Sequence, residues 1–137
     1  MLLLVGGLAA APALGAENQR ALLPLYEKVA NALCADDLAA ATAAAGTLAT
    51  EAVGLHHDGI AASAKSVAKA GDIAGAREAF KLLSQAAIAL ARTQKGYFIL
   101  TCPMAQADWV QSTREVANPY FGKAMLSCGS VKEETKG

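Results

Sequence analysis

Apolar residues recur at intervals of three and four along most of the chain, from about residue 18 to residue 90, and this spacing constrains the fold more than any other feature. Such spacing is typical of amphipathic helices that bury one face. It predicts four helices, of which the first runs from about Asn18 to Leu33. The predicted inward positions are Leu22, Leu25, Val29, Leu33, Leu38, Ala41, Ala45, Leu48, Ala52, Leu55, Ile60, Ala64, Val67, Ile73, Ala76, Phe80, Leu83, Ala87 and Leu90.

Short polar segments at 34–37, 54–58 and 70–72 separate these helices. The pair Asp36-Asp37 can cap the second helix, the third can start at Asp58, and Asp72 can cap the fourth after Gly71. Short connections require antiparallel neighbours. Because alanine contributes much of the apolar content and aromatic residues make up only 5% of the chain, close helix packing is favoured over a sheet. The prediction is an all-α fold, an antiparallel up-down four-helix bundle.

The pattern changes at Gly96. A short, β-prone run at 97–100 leads into Cys-Pro-Met at 102–104, one or two helical turns are expected near 108–116, and 123–128 reads as a last short helix. We therefore expect a short irregular or helical C-terminal cap that carries Cys-Pro-Met and Met-Leu-x-Cys. The charged residues 132–137 are expected to form a disordered tail, which leaves 17–131 as a single helical-bundle domain.

The first 16 residues carry no charged side chain and end in small residues. An apolar run of this length is too short to span a bilayer, and Ala13 and Gly15 suit the −3 and −1 positions of a signal-peptidase cut. Cleavage after Ala16 is the alternative. We therefore expect 1–16 to be a signal peptide, the mature protein to be periplasmic or otherwise exported, and no stable membrane insertion to remain after cleavage.

Four sulfur-bearing residues stand out in the C-terminal part: Cys102, Met104, Met125 and Cys128. The first two are separated by the rigid Pro103, and the last two are three residues apart, which places them on one helical turn. Thiolates and thioethers are soft ligands that select Cu(I) over calcium or magnesium. The four residues therefore suggest a copper site.

The same two cysteines have other interpretations. In an exported protein, Cys102 and Cys128 can form a disulfide, which by chain-entropy reasoning stabilises a fold by roughly 3–4 kcal/mol. They can also be free core thiols, and a bridge can open to a reduced form that binds metal. Cys34, the third cysteine, reads as a small buried hydrophobic residue.

A second candidate for metal binding is the pair His56-His57, which lies between the second and third predicted helices. Imidazole binds copper and zinc, although adjacent residues do not easily point at one ion. The alternative is a solvated loop pair in which Asp58 caps the next helix.

Several residues of the C-terminal part read as architectural, with aromatics that pack on the end of the bundle and a glycine free to adopt positive φ. The functional alternative is a wall that shields the sulfurs from water. These residues are Pro103, Trp109, Gln111, Asn118, Pro119, Tyr120, Phe121, Gly122 and Gly129.

Other functional classes find no support in the sequence. The 12 basic and 12 acidic side chains balance, and no basic stripe suggests binding to nucleic acid or to an anionic membrane. The sequence contains no nucleophile elbow, phosphate loop or His-Glu-x-x-His motif. We therefore expect a protein that is not an enzyme.

The run from Asp72 to Ser84, followed by Cys-Pro-Met-Ala at 102–105, Asn-Pro-Tyr-Phe-Gly at 118–122 and Met-Leu-Ser-Cys-Gly at 125–129, resembles the domain-of-unknown-function family numbered 3347. The resemblance covers about residues 20–131. It implies an exported helical domain of a kind also found fused to periplasmic adaptor subunits of heavy-metal efflux pumps. Cys-Pro-Met is also similar to the metal-binding motif Tyr-x-Cys-Pro-Met-His-Pro, but Ala105 and Gln106 follow Met104, so the histidine of that motif is absent.

Together, these observations predict a non-catalytic periplasmic protein that binds a soft metal, Cu(I), or assists metal resistance, with a heavy-metal efflux adaptor or another envelope protein as its partner. The alternative is an interaction module that is closed by a Cys102–Cys128 disulfide, docks on an efflux or envelope partner and holds no metal.

Overall fold

The computed structural model describes residues 18–137, and the expected signal peptide lies outside them. Four α-helices come first: α1 (Leu22–Cys34), α2 (Leu38–Gly54), α3 (Asp58–Ala68) and α4 (Ile73–Ala91). Three strands follow, β1 (Lys95–Cys102), β2 (Ala107–Gln111) and β3 (Ser130–Lys136), with a 3-10 turn at Gly122–Met125 before the last strand. Of the described helices, none combines the length and the apolar character needed to cross a membrane.

The starts of α2, α3 and α4 follow from capping by side chains, whereas α1 has no side-chain cap. The side chain of Asp37 accepts a hydrogen bond from the Ala40 amide at the start of α2, and that of Asp72 accepts one from the Gly75 amide at the start of α4. α3 starts at Asp58 as expected, but its N-cap residue is His57, so the alternative in which Asp58 caps this helix is wrong. Polar side chains that satisfy free amide groups therefore set the starts of these helices.

The prediction of an all-α fold is wrong. The three strands form an antiparallel sheet in the order β2-β1-β3, with β1 in the centre. Aromatic and β-branched residues at 97–99 favour a strand, and each edge of that strand finds a partner within the chain. The helical turns expected near residues 108–116 are instead β2 and the loop that follows it. The last helix expected at 123–128 is reduced to the 3-10 turn.

The expectation of a disordered tail at 132–137 is also wrong, because most of these residues belong to β3. β3 pairs on one side only, and the exposed residues Lys132, Glu134 and Lys136 alternate with less exposed residues, of which Thr135 is buried. Charged residues are typical of an edge strand, where they discourage pairing with other chains. A charged sequence was therefore compatible with regular structure.

The core lies among the four helices and continues to the inner face of the sheet. Tyr26 stacks on Phe80 with ring centroids 5.1 Å apart, Phe80 contacts Tyr120 at 5.7 Å, and Tyr120 meets Trp109 edge-on at 5.9 Å. Such aromatic pairs add about 0.5–1.5 kcal/mol each beyond the burial of their area. This line of rings joins the helices to β2 and to the Asn-Pro-Tyr-Phe-Gly turn.

Candidate functional site

The pairing of β1 with β3 brings together the two distant cysteines. Thr101 is paired with Ser130, so the end of β1 lies beside the residues that precede β3. Cys102 is buried and Cys128 is half-buried, and their Sγ atoms are 3.3 Å apart. Neither cysteine is bonded to another in the structure. The sheet therefore creates a dithiol from residues separated by 26 positions.

Asn118 fixes the turn that carries Cys128. Its side chain is fully buried, and Nδ2 donates a hydrogen bond of 2.7 Å to the backbone carbonyl of Cys128. Its Oδ1 accepts hydrogen bonds from the amides of Tyr120 (2.8 Å) and Phe121 (3.2 Å). The buried side-chain amide of Asn118 thus joins two turns: the Asn-Pro-Tyr-Phe-Gly turn at 118–122, called the aromatic turn below, and the turn at 125–129 that carries Cys128, called the cysteine turn. The sequence suggested only a turn residue at this position, since the distant partner of an asparagine leaves no local signal.

Gly129 allows the cysteine turn to approach β1 closely. Its φ is +137°, and a Cβ atom built there would lie 2.8 Å from Cη2 of Trp109 and 2.9 Å from the carbonyl oxygen of Thr101. Real Cβ atoms do not occupy such positions. A side chain at this position would therefore push Cys128 away from Cys102.

The two thiols differ in their electrostatic environment. Burial acts to raise the pKa of Cys102, but hydrogen bonds to its sulfur have the larger combined effect and bring the pKa below its ordinary value. These bonds come from the amides of Ala105 and Met104, the Cys128 thiol and the Asn118 side chain. The hydrogen bond to Cys102 raises the pKa of Cys128. Cys102 is therefore the sulfur that is more readily a thiolate, with Cys128 as the donor of the shared proton.

The two methionines lie on the turns next to the cysteines. Met104 follows Cys102 by two residues and is 67% exposed, bordering a groove with Glu78 of α4 and Phe121. Met125 is half-buried and ends the 3-10 turn, three residues before Cys128. Each turn therefore supplies one thiol and one neighbouring thioether.

A groove beside Cys102 is lined on one side by Lys81 and Gln85 of α4 and on the other by Thr101 and Asp108 of the sheet. The Asp108 carboxylate is paired with the Nζ atom of Lys132 at 3.0 Å. Although this groove borders Cys102, the residue itself has no exposed surface. Solvent therefore reaches the dithiol from the side of Cys128.

The histidine pair lies in the loop between α2 and α3, and local roles account for both residues. His56 has φ of +56°, the left-handed conformation that commonly ends a helix. His57 Nδ1 accepts a 3.3 Å hydrogen bond from the amide of Ile60. Within residues 18–137, no three side chains of His, Cys, Asp or Glu are grouped so that they could hold a metal ion. Among the described residues, His56 and His57 therefore do not form a common cluster of potential metal ligands with Cys102 and Cys128.

The third cysteine also lies apart from the dithiol. Cys34 is half-buried at the end of α1, whereas the sequence suggested full burial. Burial raises the pKa of its thiol to about 11. Cys34 is therefore a poor nucleophile and a useful internal control.

Most of the residues expected to be architectural are buried. Trp109, Gln111, Asn118, Pro119, Tyr120 and Gly122 are buried, Phe121 and Gly129 are half-buried, and Pro103 is exposed. The indole Nε1 of Trp109 donates to Oε1 of Gln111 at 2.8 Å. Gly122 has φ of +60°, as its place in the turn suggested.

The role of Arg77, one of the charged residues of α4, was not visible in the sequence. Its side chain is only 16% exposed, and it donates hydrogen bonds to the carbonyl oxygens of Pro119 (2.9 Å) and Leu33 (2.8 Å) and to Asp36 (2.6 Å). It therefore ties the aromatic turn to α1 and α4. No signal in the helical period distinguishes Arg77 from the exposed charges beside it.

A buried network of hydroxyl groups was also missed. Ser84 Oγ lies 2.7 Å from the Tyr26 hydroxyl and 3.1 Å from the Tyr120 hydroxyl, and the Tyr120 hydroxyl donates to the carbonyl of Asp108 at 2.6 Å. A serine on the inward face of α4, next to Leu83, was the available signal, because buried hydroxyl groups need partners.

The profile of a protein family, described as "Protein of unknown function (DUF3347)", matches residues 22–96. No curated protein and no solved structure matches the chain. The matched residues comprise the four helices and the first two residues of β1, and they end before Cys102. Since the profile matches more than half of the chain, the protein belongs to the DUF3347 family of proteins of unknown function.

Proposed function

We propose that this protein binds Cu(I) through the sulfur atoms of Cys102 and Cys128 and acts, without catalysis, in metal resistance or metal handling in the periplasm. The observation that carries the proposal is the 3.3 Å separation of the two Sγ atoms. Thiolates are soft donors that favour Cu(I) over hard cations.

The separation suits a bridging ion after a small movement. With metal–sulfur bonds of about 2.3 Å, two ligands of one ion lie roughly 3.8 Å apart in tetrahedral and about 4.6 Å apart in linear geometry. Opening the pair by between half an ångström and somewhat over one therefore admits the ion. Cys128 is the sulfur that can move, because it is half-buried and lies in a turn, whereas Cys102 ends the central strand.

The surroundings of Cys102 support the same proposal. Amide groups of Met104 and Ala105 direct hydrogen bonds at its sulfur and favour the thiolate that a metal requires. The thioethers of Met104 and Met125 belong to the two turns that carry the cysteines, and either can supply a third soft ligand after rotation of its side chain. We leave His56 and His57 out of this site because they lie with the α2–α3 loop.

A Cu(I) competition titration against a chromophoric chelator tests the proposal. We expect one Cu(I) per chain in the reduced protein. Cys102→Ser and Cys128→Ser should each lower the affinity for Cu(I) by at least about 100-fold, because even the loss of a residue that only hydrogen-bonds to a metal ligand lowers the affinity by about 10–100-fold. Cys34→Ser is the matched control and should bind like wild type. Wild-type affinity in Cys102→Ser would overturn the site.

The thioethers can be tested in the same titration. Replacing a ligating methionine with leucine preserves much of the side-chain volume but removes the sulfur, so we expect either Met104→Leu or Met125→Leu to weaken binding about 10-fold. Unchanged affinity in both variants would leave a two-coordinate site formed by the cysteines alone.

We further propose that the apolar segment 1–16 is a signal peptide, which directs export to the periplasm and is then cleaved. The uninterrupted apolar run and the small residues at its end support this. N-terminal sequencing of protein from a periplasmic extract should begin at Ala16 or Glu17. An intact Met1 in the extracted protein would contradict it.

A second candidate function is an interaction module, closed by a Cys102–Cys128 disulfide, that docks on a heavy-metal efflux adaptor or another envelope protein. The same sulfur separation favours it, because closing to the bond length of about 2.05 Å requires a shift of little more than 1 Å. Intact mass of protein taken from the periplasm separates the two candidates. A bridged protein is lighter by two hydrogen atoms and leaves only Cys34 for alkylation.

A further inference from the structure

The two sulfurs of the dithiol are unequally accessible. Cys102 ends the central strand and has no exposed surface, whereas Cys128 is half-buried in the turn before β3. With Sγ atoms 3.3 Å apart, any bond made or broken between them needs little rearrangement of the backbone.

Hydrogen bonds fix the backbone of Cys128, while its side chain is partly exposed to solvent. Its carbonyl accepts the hydrogen bond of Asn118, and its amide donates to the carbonyl of Met125 at 3.1 Å. Gly129 fixes the close approach of the turn to Trp109 and Thr101. This anchoring keeps the two sulfurs at high effective concentration, which favours an intramolecular reaction over a bimolecular one.

We propose that Cys102 and Cys128 form an exchange site for small-molecule thiols and disulfides, in which Cys128 carries the mixed disulfide and Cys102 resolves it. The inference uses the same sulfurs as the proposed metal site but requires no metal. Its test is therefore made in the presence of a chelator, and its failure is separate from a failure of Cu(I) binding.

Each step is a thiolate attack on a disulfide. In the oxidising direction, Cys128 is the sulfur that a small disulfide RSSR can reach. It loses its proton to solvent and attacks RSSR, which forms Cys128–S–SR and releases RS⁻. The Cys102 thiolate then attacks Sγ of Cys128, which forms the Cys102–Cys128 bond and releases a second RS⁻. Two electrons pass from the protein dithiol to RSSR, and the two thiol protons leave with the released thiols or the solvent. Reduction by a small thiol reverses these steps, with attack on the accessible Cys128 sulfur and Cys102 as the leaving group.

Single-cysteine variants in a Cys34→Ser background test the order of the two sulfurs. Reduced protein is incubated with oxidised glutathione and a chelator, and intact mass is followed over time. Cys102→Ser should accumulate a glutathione adduct on Cys128. Cys128→Ser replaces the cysteine with a side chain of similar size. Its adduct on Cys102 should form at least about 10-fold more slowly, because the remaining sulfur is buried.

The protein that retains both thiols should lose two hydrogen atoms and accumulate no adduct. Comparable rates of adduct formation in the two single variants, or adducts that persist on the dithiol protein after long incubation with no internal bridge, would overturn the proposal. Circular dichroism of each variant checks that it is folded. Peptide mapping of the Cys34→Ser dithiol protein after a brief exposure to excess oxidised glutathione gives the same answer without altering the pair: any trapped adduct should lie on Cys128, and one on Cys102 would contradict the assignment.

Discussion

The helices at 22–91 and the sheet region at 95–136 are built by different kinds of information. In the helical part, capping side chains and the spacing of apolar residues act within a few positions of each other. In the sheet region, β1 depends on partners at 107–111 and at 130–136, and the dithiol depends on both the sheet and the buried Asn118. Local patterns therefore specify the scaffold, while long-range pairing specifies the site.

The largest effect is expected where the two regions meet. Trp109→Ala removes a fully buried ring that packs on Tyr120 and lies beside Gly129, so we expect the free energy of unfolding to fall by about 3–5 kcal/mol. Chemical denaturation measures this. The control Leu82→Ala alters a side chain that is 62% exposed and should stay within about 0.5 kcal/mol of wild type. Equal losses in the two variants would mean that the sheet does not share the helical core.

Two glycine substitutions contrast the two regions directly. Gly129→Ala introduces a Cβ beside Trp109 at a φ of +137°, and should destabilise the fold by about 1–3 kcal/mol. Gly46→Ala lies in the interior of α2 with no atom near its new Cβ, and should stabilise the fold by about 0.5–1 kcal/mol. Thermal melts of the pair should shift in opposite directions. A melting temperature of Gly129→Ala equal to or above that of wild type would refute the close approach at Gly129.

A smaller effect is expected at a helix start. Asp72→Ala removes the side chain that accepts the 2.7 Å hydrogen bond from the Gly75 amide, which should cost about 1 kcal/mol of unfolding free energy. Asp72→Asn retains an acceptor oxygen and should recover most of the loss. If the alanine and asparagine variants behave alike in denaturation, the cap is not the source of the effect.

The smallest effect concerns acid stability at the junction of α1 with the aromatic turn. The hydrogen bond from Arg77 lowers the pKa of Asp36 below its ordinary value. The folded state therefore binds fewer protons than the unfolded state there, so this stabilisation is present above the unfolded pKa of about 3.9 and is lost as pH falls through the lower, folded pKa. The free energy of unfolding, measured by chemical denaturation at a series of pH values, should fall less steeply between pH 7 and pH 3 in Asp36→Asn than in wild type. Identical slopes would remove Asp36 as a contributor.

The sequence predicted the helical part well, since its signals are local. The positions of α2, α3 and α4 follow from apolar spacing, and most residues placed inward are buried, including Ala45, Phe80 and Leu83. Arg77 was the exception, because a helical period does not distinguish an exposed arginine from one that binds the carbonyl oxygens of distant turns.

The sheet was missed for a physical reason. A β-prone run at 97–100 was visible, but a strand is stable only with a partner, and neither partner has a strong strand signal of its own. β3 lies at the edge of the sheet, where charged side chains remain in solvent. One of them, Glu133, forms an ion pair with Arg92 at 3.0 Å. The charges that suggested a disordered tail are those of an exposed edge strand.

The candidate site shows the same division. Cys102 and Cys128 were predicted as site residues because of the chemistry of their thiols, and the structure places the two side chains next to each other. What holds them, namely the register of Thr101 with Ser130 and the buried Asn118, involves residues that have no distinctive local pattern. The identity of the site was therefore readable from residue types, while its geometry required the fold.

A short bifunctional thiol reagent such as dibromobimane can show whether the fold brings the two distant thiols to one point. With reduced Cys34→Ser protein, we predict one fluorescent bridge per chain that links the Cys102 and Cys128 peptides. Single adducts on separate peptides, with no bridge formed in folded protein, would contradict the account.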